Sequence, residues 1–299
     1  MKKFLLSGML LLAISINPLV AQDQTKDKIR VIAIFAHPDD ADLKMGGTAA
    51  LLAQMGAAVK FVSLTNGDAG HYAQGGGVLG QRRRAEAQRA AKQYGIDEYT
   101  VLNNHDGELL PDLNVRLQVI REIRNWNADI VLGLRPNDYH PDHRNAGKLV
   151  EDASYMVAVP NVAADVPALK KNPVFLYMQD NFKKPNPFSH DIVVAIDEVF
   201  DKKINGLHEH TSQMYEWGPW IDNAGDISEV PTDSDARKKW LKDNLMKKKI
   251  SPEQRRGLEK WYGKEKADKV KYAESFEITE YGSQPTEAEI RRLFPMLKK

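Results

Sequence analysis

The chain has 299 residues, of which 42% are hydrophobic and 28% charged, with a net charge of +1. That apolar fraction supports a substantial core, and the charge balance gives no electrostatic case for a nucleic-acid or anionic-membrane partner. With no cysteine present, disulfides, thiolate metal ligands and a lipid-modified cysteine are excluded.

Residues 1–21 have the pattern of a signal peptide. Lys2 and Lys3 precede an apolar stretch from Phe4 to Ile16, Asn17-Pro18 breaks it, and Ala21 offers a small residue before a cut at Gln22. The stretch is too short and wrongly flanked for a membrane span. The expectation is export to a periplasmic or extracellular space, with no stable membrane insertion after cleavage.

From residue 29 onward strand and helix patterns alternate. Val31-Ile32-Ala33-Ile34-Phe35-Ala36 reads as a buried parallel strand. A helix follows over 42–55, with Gly46-Gly47 inside it; such a pair marks a close backbone approach to the sheet or a ligand. Residues 59–64 form a second strand, and a Gly-rich loop over 66–80 has the length of a functional or mobile segment. The pattern then predicts a helix over 81–94, a strand over 100–102, a helix over 113–126, a strand over 129–134 and a helix over 143–156. Beyond Pro160 it loosens into strands at 174–177 and 192–196 and a helix over 197–216. The reading is a Rossmann-like, mostly parallel α/β sheet flanked by helices, with a domain over 22–216. Residues 217–299 form a charged, largely helical C-terminal extension, in which Ser251-Pro252-Glu253-Gln254 has the residues of a capping box.

Two clusters carry chemistry: His37-Pro38-Asp39-Asp40 after the first strand, and His140-Pro141-Asp142-His143 after the strand at 129–134. Alone, each is a turn with a helix cap. Placed at two strand ends, where open α/β sheets bind ligands, they can converge on one divalent ion. A hydrolytic centre takes three protein ligands and keeps one open position. His37, Asp40 and His143 supply two imidazoles and a carboxylate, a set that suits Zn²⁺ and leaves Fe²⁺, Co²⁺, Ni²⁺ or Mn²⁺ open. Asp39 is then a free carboxylate beside the ion, the position of a general base. His140 is placed as acid or oxyanion stabiliser. Asp142 is expected to orient His140, and Asp138 is a further supporting partner. Asp68, Arg83, Asp106 and His210 are substrate-contact candidates, and Tyr215, Trp217 and Trp220 are expected to pack the C-terminal segment rather than bind sugar.

At these residues the chain resembles the PIG-L/LmbE-like family of metal-dependent N-deacetylases. The likeness is carried by Ala36-His37-Pro38-Asp39-Asp40 with Gly46-Gly47-Thr48, by Leu64-Thr65-Asn66-Gly67-Asp68, by Arg83-Arg84-Ala85-Glu86 and by Asp138 to Arg144. His210-Thr211-Ser212-Gln213 gives a weaker signature. One departure is Ala41, where the family commonly has glutamate, with Asp42 following. The resemblance implies zinc on the residues matching His37, Asp40 and His143, Asp39 as base, and N-acetylated amino sugars as usual substrates. The expected function is therefore removal of an N-acetyl group from an amino sugar or glycoconjugate, with a small molecule or oligosaccharide as partner. An amidase on another N-acylated small molecule, or a carbohydrate binder without catalysis, are the alternatives. Oligomeric state is not legible.

Overall fold

The computed structural model describes residues 28–298, so the signal-peptide reading lies outside the described residues. Seven strands form one sheet in the order β3-β2-β1-β4-β5-β7-β6. The elements run β1 (Arg30–Phe35), α1 (Asp40–Gln54), β2 (Ala58–Thr65), α2 (Gly76–Tyr94), β3 (Glu98–Asn104), α3 (Leu113–Trp126), β4 (Ile130–Gly133), α4 (Pro141–Met156), β5 (Val174–Met178), β6 (Ile192–Ala195), α5 (Phe200–Glu209), α6 (Gly218–Asp222), α7 (Ser234–Met246), α8 (Pro252–Tyr262), α9 (Lys264–Lys269), β7 (Ala273–Gly282) and α10 (Glu287–Leu293). Strands β1 to β5 pair in parallel and β7 runs antiparallel to both its neighbours. No helix among the described residues is long and apolar enough to cross a membrane.

The apolar runs form strands covered on both faces. Every residue of β2 and β4 is buried, as are all of β1 but Arg30. This is why they read as continuous β-branched runs instead of alternating ones. Chain order reverses direction between β1 and β4: β2 and β3 add on one side of β1, while β4 and β5 add on the other. The crevice at such a reversal is where doubly wound sheets take ligands, and both His-Pro-Asp turns open onto it.

Three elements differ from the sequence reading. The run Gly75-Gly76-Gly77 starts α2, with Gly76 N–H on the Asp68 carbonyl (2.8 Å), so the loop ends five residues sooner than expected. The stretch 197–216 is not one helix: a 3₁₀ turn leads into α5, the chain breaks at His210, and a π-helical turn covers Ser212–Trp217. Residues 217–299 are largely helical as expected, but β7 enters the sheet between β5 and β6, so residue 216 is not a border between separately packed units.

Two further contacts fasten that C-terminal strand to the helix behind the first motif. Buried Glu274 of β7 accepts from the N–H groups of Gly47 (3.0 Å) and Thr48 (2.6 Å) and from Lys203 Nζ (2.6 Å). Lys203 Nζ also donates to the Leu43 carbonyl (2.8 Å). Gly47 is required here: a Cβ at this position would stand 2.9 Å from Ile196, the residue after β6. The close approach read from Gly46-Gly47 is thus to the sheet layer.

Candidate active site

The end of β1 is fixed before any ligand is considered. The Ala36 carbonyl accepts from Thr65 N–H (2.9 Å) and from the hydroxyls of Ser63 (3.0 Å) and Thr65 (2.9 Å). The chain then turns at His37, whose carbonyl accepts from Asp39 N–H (2.8 Å), and its own N–H donates to Asp40 Oδ2 (2.9 Å). Asp40 is thereby oriented by the backbone of its co-ligand. Asp39 sits at the start of α1 with φ 156° and ψ −19°, and its carboxylate makes no capping bond. The helix-cap alternative for this residue therefore does not hold.

The two motifs meet. His37 Nδ1 lies 3.1 Å from His143 Nε2, His143 Nε2 lies 3.3 Å from Asp40 Oδ1, and His37 Nδ1 lies 3.8 Å from Asp40 Oδ2. The remaining ring nitrogens identify the tautomers. His37 Nε2 is 2.9 Å from Asp106 Oδ1 and 3.3 Å from Asp142 Oδ2, and His143 Nδ1 is 3.0 Å from Asp138 Oδ1. Each outer nitrogen faces a carboxylate and so carries the proton. In the neutral rings the two inner nitrogens are then both acceptors, 3.1 Å apart, and their contact cannot be a hydrogen bond. A shared cation resolves it. The separations of His37 Nδ1 and Asp40 Oδ1 from His143 Nε2, 3.1 and 3.3 Å, lie close to the ligand–ligand edge of a tetrahedral zinc centre, about 3.4 Å for bonds of about 2.1 Å. The residues present therefore fit a divalent ion.

The electrostatics point the same way. Burial works against a charged His37, but the Asp106, Asp142 and Asp40 carboxylates outweigh it and push its pKa up to about 9. Burial opposes a charged His143 too, yet Asp40 and Asp138 bring it up to about 10. For Asp40, burial is overcome by His143, His37 and the His37 N–H, which hold it well below the usual carboxylate range. The cluster demands positive charge, and a metal ion supplies it while displacing the ring protons. Asp39 behaves oppositely: burial, with help from Asp40 and against Arg83, pushes its pKa up to about 6.

His140 stands beside the ligand set, its ring centroid 4.6 Å from His37 and 5.1 Å from His143. Its Nδ1 accepts from the Asp142 N–H (3.2 Å), leaving Nε2 to carry a proton. Burial and the neighbouring His37 and His143 depress its pKa, so the ring is neutral. Three imidazoles, those of His37, His140 and His143, bring one nitrogen each within metal-binding distance of one another.

The supporting residues correct several expectations. Asp142 holds the His140 ring through its backbone N–H and not, as expected, through its carboxylate, whose oxygens accept from Gly107 N–H (2.7 Å) and Leu109 N–H (3.2 Å) and approach His37, so it ties the loop after β3 to α4. Asp138 does support the centre, through His143 and the His140 N–H (3.0 Å). Asp68 has both oxygens engaged, with His105 (2.7 Å) and Asp106 N–H (3.0 Å), and so shapes the loop that carries Asp106. Asp106 is the partner of His37, its other oxygen 3.5 Å from Arg83. Arg83 is not on a solvated face: it is buried beneath the site, 3.4 Å from Asp39 and bonded to the Gly67 carbonyl (3.1 Å). His210 is fully buried and bonded to Asp42 (2.9 Å), so it cannot touch substrate. Asp42, also accepting from Tyr99 Oη (2.8 Å), places an acid one residue beyond Ala41. Glu86, to which the sequence reading gave no role, anchors the late motif through Ser212 N–H (3.0 Å), Ser212 Oγ (2.5 Å) and Thr211 Oγ1 (2.8 Å). Tyr139 stands exposed on the rim, edge-on to His140 and His143. Of the aromatic group, Tyr215 is buried as expected, while Trp217 and Trp220 continue a stack that begins with His71 and Tyr72.

A paired carboxylate–imidazole centre at the reversal point of a Rossmann-like sheet has the donor set of a metal-dependent hydrolytic site, and the relatives make it a hydrolase of amide C–N bonds. Residues 32–154 match the PIG-L family, described as GlcNAc-PI de-N-acetylase. Over 211 residues, 65% of this chain and 76% of the other, the sequence is 32% identical to diacetylchitobiose deacetylase of Thermococcus kodakarensis. It is 30% identical over 193 residues (61% and 83%) to a probable N-acetyl-alpha-D-glucosaminyl L-malate deacetylase 2 of Bacillus cereus. Its fold superimposes on the N,N'-diacetylchitobiose deacetylase of Pyrococcus horikoshii with a TM-score of 0.61 at 26% identity, covering 86% of each chain. The chain belongs to the PIG-L family of N-deacetylases.

Proposed function

We propose that this protein removes the acetyl group from an N-acetylated amino sugar or glycoconjugate at a zinc centre held by His37, Asp40 and His143. The observation that carries the metal reading is the pair of acceptor nitrogens, His37 Nδ1 and His143 Nε2, facing each other at 3.1 Å. The substrate class is supported by the names of the relatives, which are deacetylases of diacetylchitobiose and of an N-acetylglucosaminyl malate.

A bound ion of this kind polarises the acetamide carbonyl and acidifies water. The rest is done by the chain. Asp39, with its pKa pushed up to about 6, is ionised at neutral pH yet basic enough to take a proton from the attacking water. Arg83 and the turn at residues 37–40 hold that carboxylate in place. His140 presents its Nε2–H to the oxygen on which negative charge develops, a donor fixed before the reaction begins. Asp39, once protonated, returns its proton to the departing amine. Asp138 and Asp106 keep the two ligand imidazoles in the required tautomers. We extend the proposal to site of action: the pattern of residues 1–21 supports export, with turnover in a periplasmic or extracellular space.

The test is acetate release from N-acetylglucosamine oligomers by metal-quantified protein, run beside Asp39→Asn. Turnover with the parent and none with the variant, at equal metal content, is the expected result. No acetate from any N-acetyl sugar at full metal occupancy overturns the substrate class.

A further inference from the structure

Lys248, Lys249 and Lys271 are among the described lysines that have no ion-pair partner, and they lie together. Other lysines of the C-terminal segment are paired. Lys239 pairs with Asp243, Lys242 with Asp201, Lys264 with Asp268 and Lys269 with Glu265. On a chain of net charge +1, cations left without carboxylates in one place create a local positive field.

These three gather at one cleft of about 450 Å³, where Lys248, Lys249 and Lys271 surround Ile250 and Tyr272. No carboxylate lines it. Arg255 lies against it with its guanidinium donating to the carbonyls of Ala267 and Val270. Asp197, an acid beside it, accepts from the N–H groups of Lys271 (2.9 Å) and Tyr272 (3.3 Å). Burial, with the fields of Lys203 and Lys44, lowers the pKa of Lys248, as expected of an ammonium lacking a counter-ion.

Topology sets this cleft on the catalytic side. Tyr272 precedes β7, whose first residue, Ala273, registers with Ala195 at the C-terminal end of β6. Because β7 is antiparallel to both β5 and β6, those two strands point the same way, and the end of β6 shares the sheet edge with the ends of β1 and β4. Three strand spacings separate β4 from β6, about 14 Å. Hydrogen bonds tie the intervening elements together. Lys44, one turn beyond Asp40 on α1, donates to the Gln179 carbonyl (2.9 Å) at the end of β5. The Gln179 side chain accepts from Gln254 (3.1 Å) in the first turn of α8, next to Ile250.

We infer that this cleft is an anion subsite for a carboxylate- or sulfate-bearing sugar residue of an extended glycan whose acetamide lies at the catalytic centre. The inference rests on the deacetylase reading and narrows its substrate to an acidic, N-acetylated oligosaccharide. A single amino sugar does not span the distance; a short oligosaccharide does. Lysine ammonium groups are point charges without fork geometry, so they accept either anion, and the apolar floor suits the non-polar face of a sugar ring.

Binding decides it without turnover. Fluorescently labelled tetrasaccharides are titrated into the metal-loaded Asp39→Asn protein by anisotropy: one alternating N-acetylglucosamine with glucuronate, a sulfated counterpart and neutral chitotetraose. The expected result is about tenfold tighter binding of an acidic ligand than of the neutral one, shrinking as salt is raised. Lys248→Ser/Lys249→Ser/Lys271→Ser should abolish the preference, and Lys249→Glu alone, at an exposed position, should reduce it should the triple variant not fold. Equal binding of acidic and neutral sugars, or a preference that survives in a folded variant, overturns the inference. Failure of the parent enzyme to release acetate from any of the three would sink the deacetylase reading instead and leave the binding comparison intact.

Discussion

Replacing Glu274 by alanine tests whether the C-terminal strand is part of the machinery behind the active site. Its carboxylate meets three donors at 2.6–3.0 Å: Gly47 N–H, Thr48 N–H and Lys203 Nζ. Lys203 Nζ keeps a second acceptor in the Leu43 carbonyl. Alanine leaves the buried Lys203 ammonium without its carboxylate and removes an acceptor from two mid-helix N–H groups. Removing one partner of a buried pair costs about 3–5 kcal/mol, and each orphaned amide about 1–3 kcal/mol. These overlap, since water or a helical shift relieves part of both, and we expect a loss of about 4 kcal/mol. Glu274→Gln keeps an acceptor and should cost about half as much. Adding Lys203→Met to Glu274→Gln removes the stranded charge and should recover part of that loss, giving a non-additive cycle. Urea unfolding followed by tryptophan fluorescence and far-UV circular dichroism, with coincident transitions as the condition for analysis, reads Glu274→Ala, Glu274→Gln, Lys203→Met and the double variant. A loss below about 1 kcal/mol for Glu274→Ala, or additive behaviour in the cycle, would refute the reasoning.

Three further outcomes follow from the same geometry. Asp138→Asn removes the carboxylate that orients His143 and should weaken metal affinity about 10–100-fold, measured by chelator competition; an unchanged dissociation constant would show that the His143 Nδ1 contact carries no weight. His140→Ala should lower kcat about 10²–10³-fold with metal content unchanged, and a metal-depleted variant would instead make His140 a ligand. For buried His210, burial opposes the charged ring but Asp42 outweighs it, so its pKa is raised in the folded state. Its contribution to stability is then fully present below the unfolded value of about 6.5 and declines as pH rises through the higher folded value. The stability gap between the parent and His210→Gln should therefore be wider at pH 6 than at pH 9; a gap that widens with pH would reverse the assignment.

Strands β1, β2 and β4 and helix α3 were legible because burial on both faces, or one apolar stripe, leaves a strong pattern in few residues. The two ligand turns were legible because proline and aspartate immediately after an apolar run mark a strand end in the sequence itself. What stayed hidden was long-range. Nothing near Asp106 announces that its oxygen will face His37, and nothing near Asp142 says that its carboxylate will turn away from His140, two positions back, toward the loop after β3. His210 and Arg83 read as substrate-contact candidates, because the partners that hold them buried, Asp42 for His210 and Asp39 and Asp106 for Arg83, are remote in the chain. Strand β7 was missed because Glu274, Glu277 and Glu280 recur every third residue and break the two-residue period of a strand, and it joins the sheet only by crossing back from the chain's far end.

The repeated His-Pro-Asp motif gives two ligands that are not equivalent. His37 precedes its proline at the end of a strand, and its ring turns Nδ1 inward because Asp106 and Asp142 take Nε2. In the second motif the matching residue, His140, lends Nδ1 to the Asp142 N–H, and the ligand is instead the residue three further on, His143, which turns Nε2 inward because Asp138 takes Nδ1. In the first motif that third position is Asp40. Two copies of one local geometry thus present an imidazole and a carboxylate from one turn and a ligand imidazole plus a free donor imidazole from the other. The asymmetry is set by the outer carboxylates, which choose the tautomer of each ring, and so the division of labour between binding an ion and meeting a developing oxyanion is written in the partners rather than in the motif.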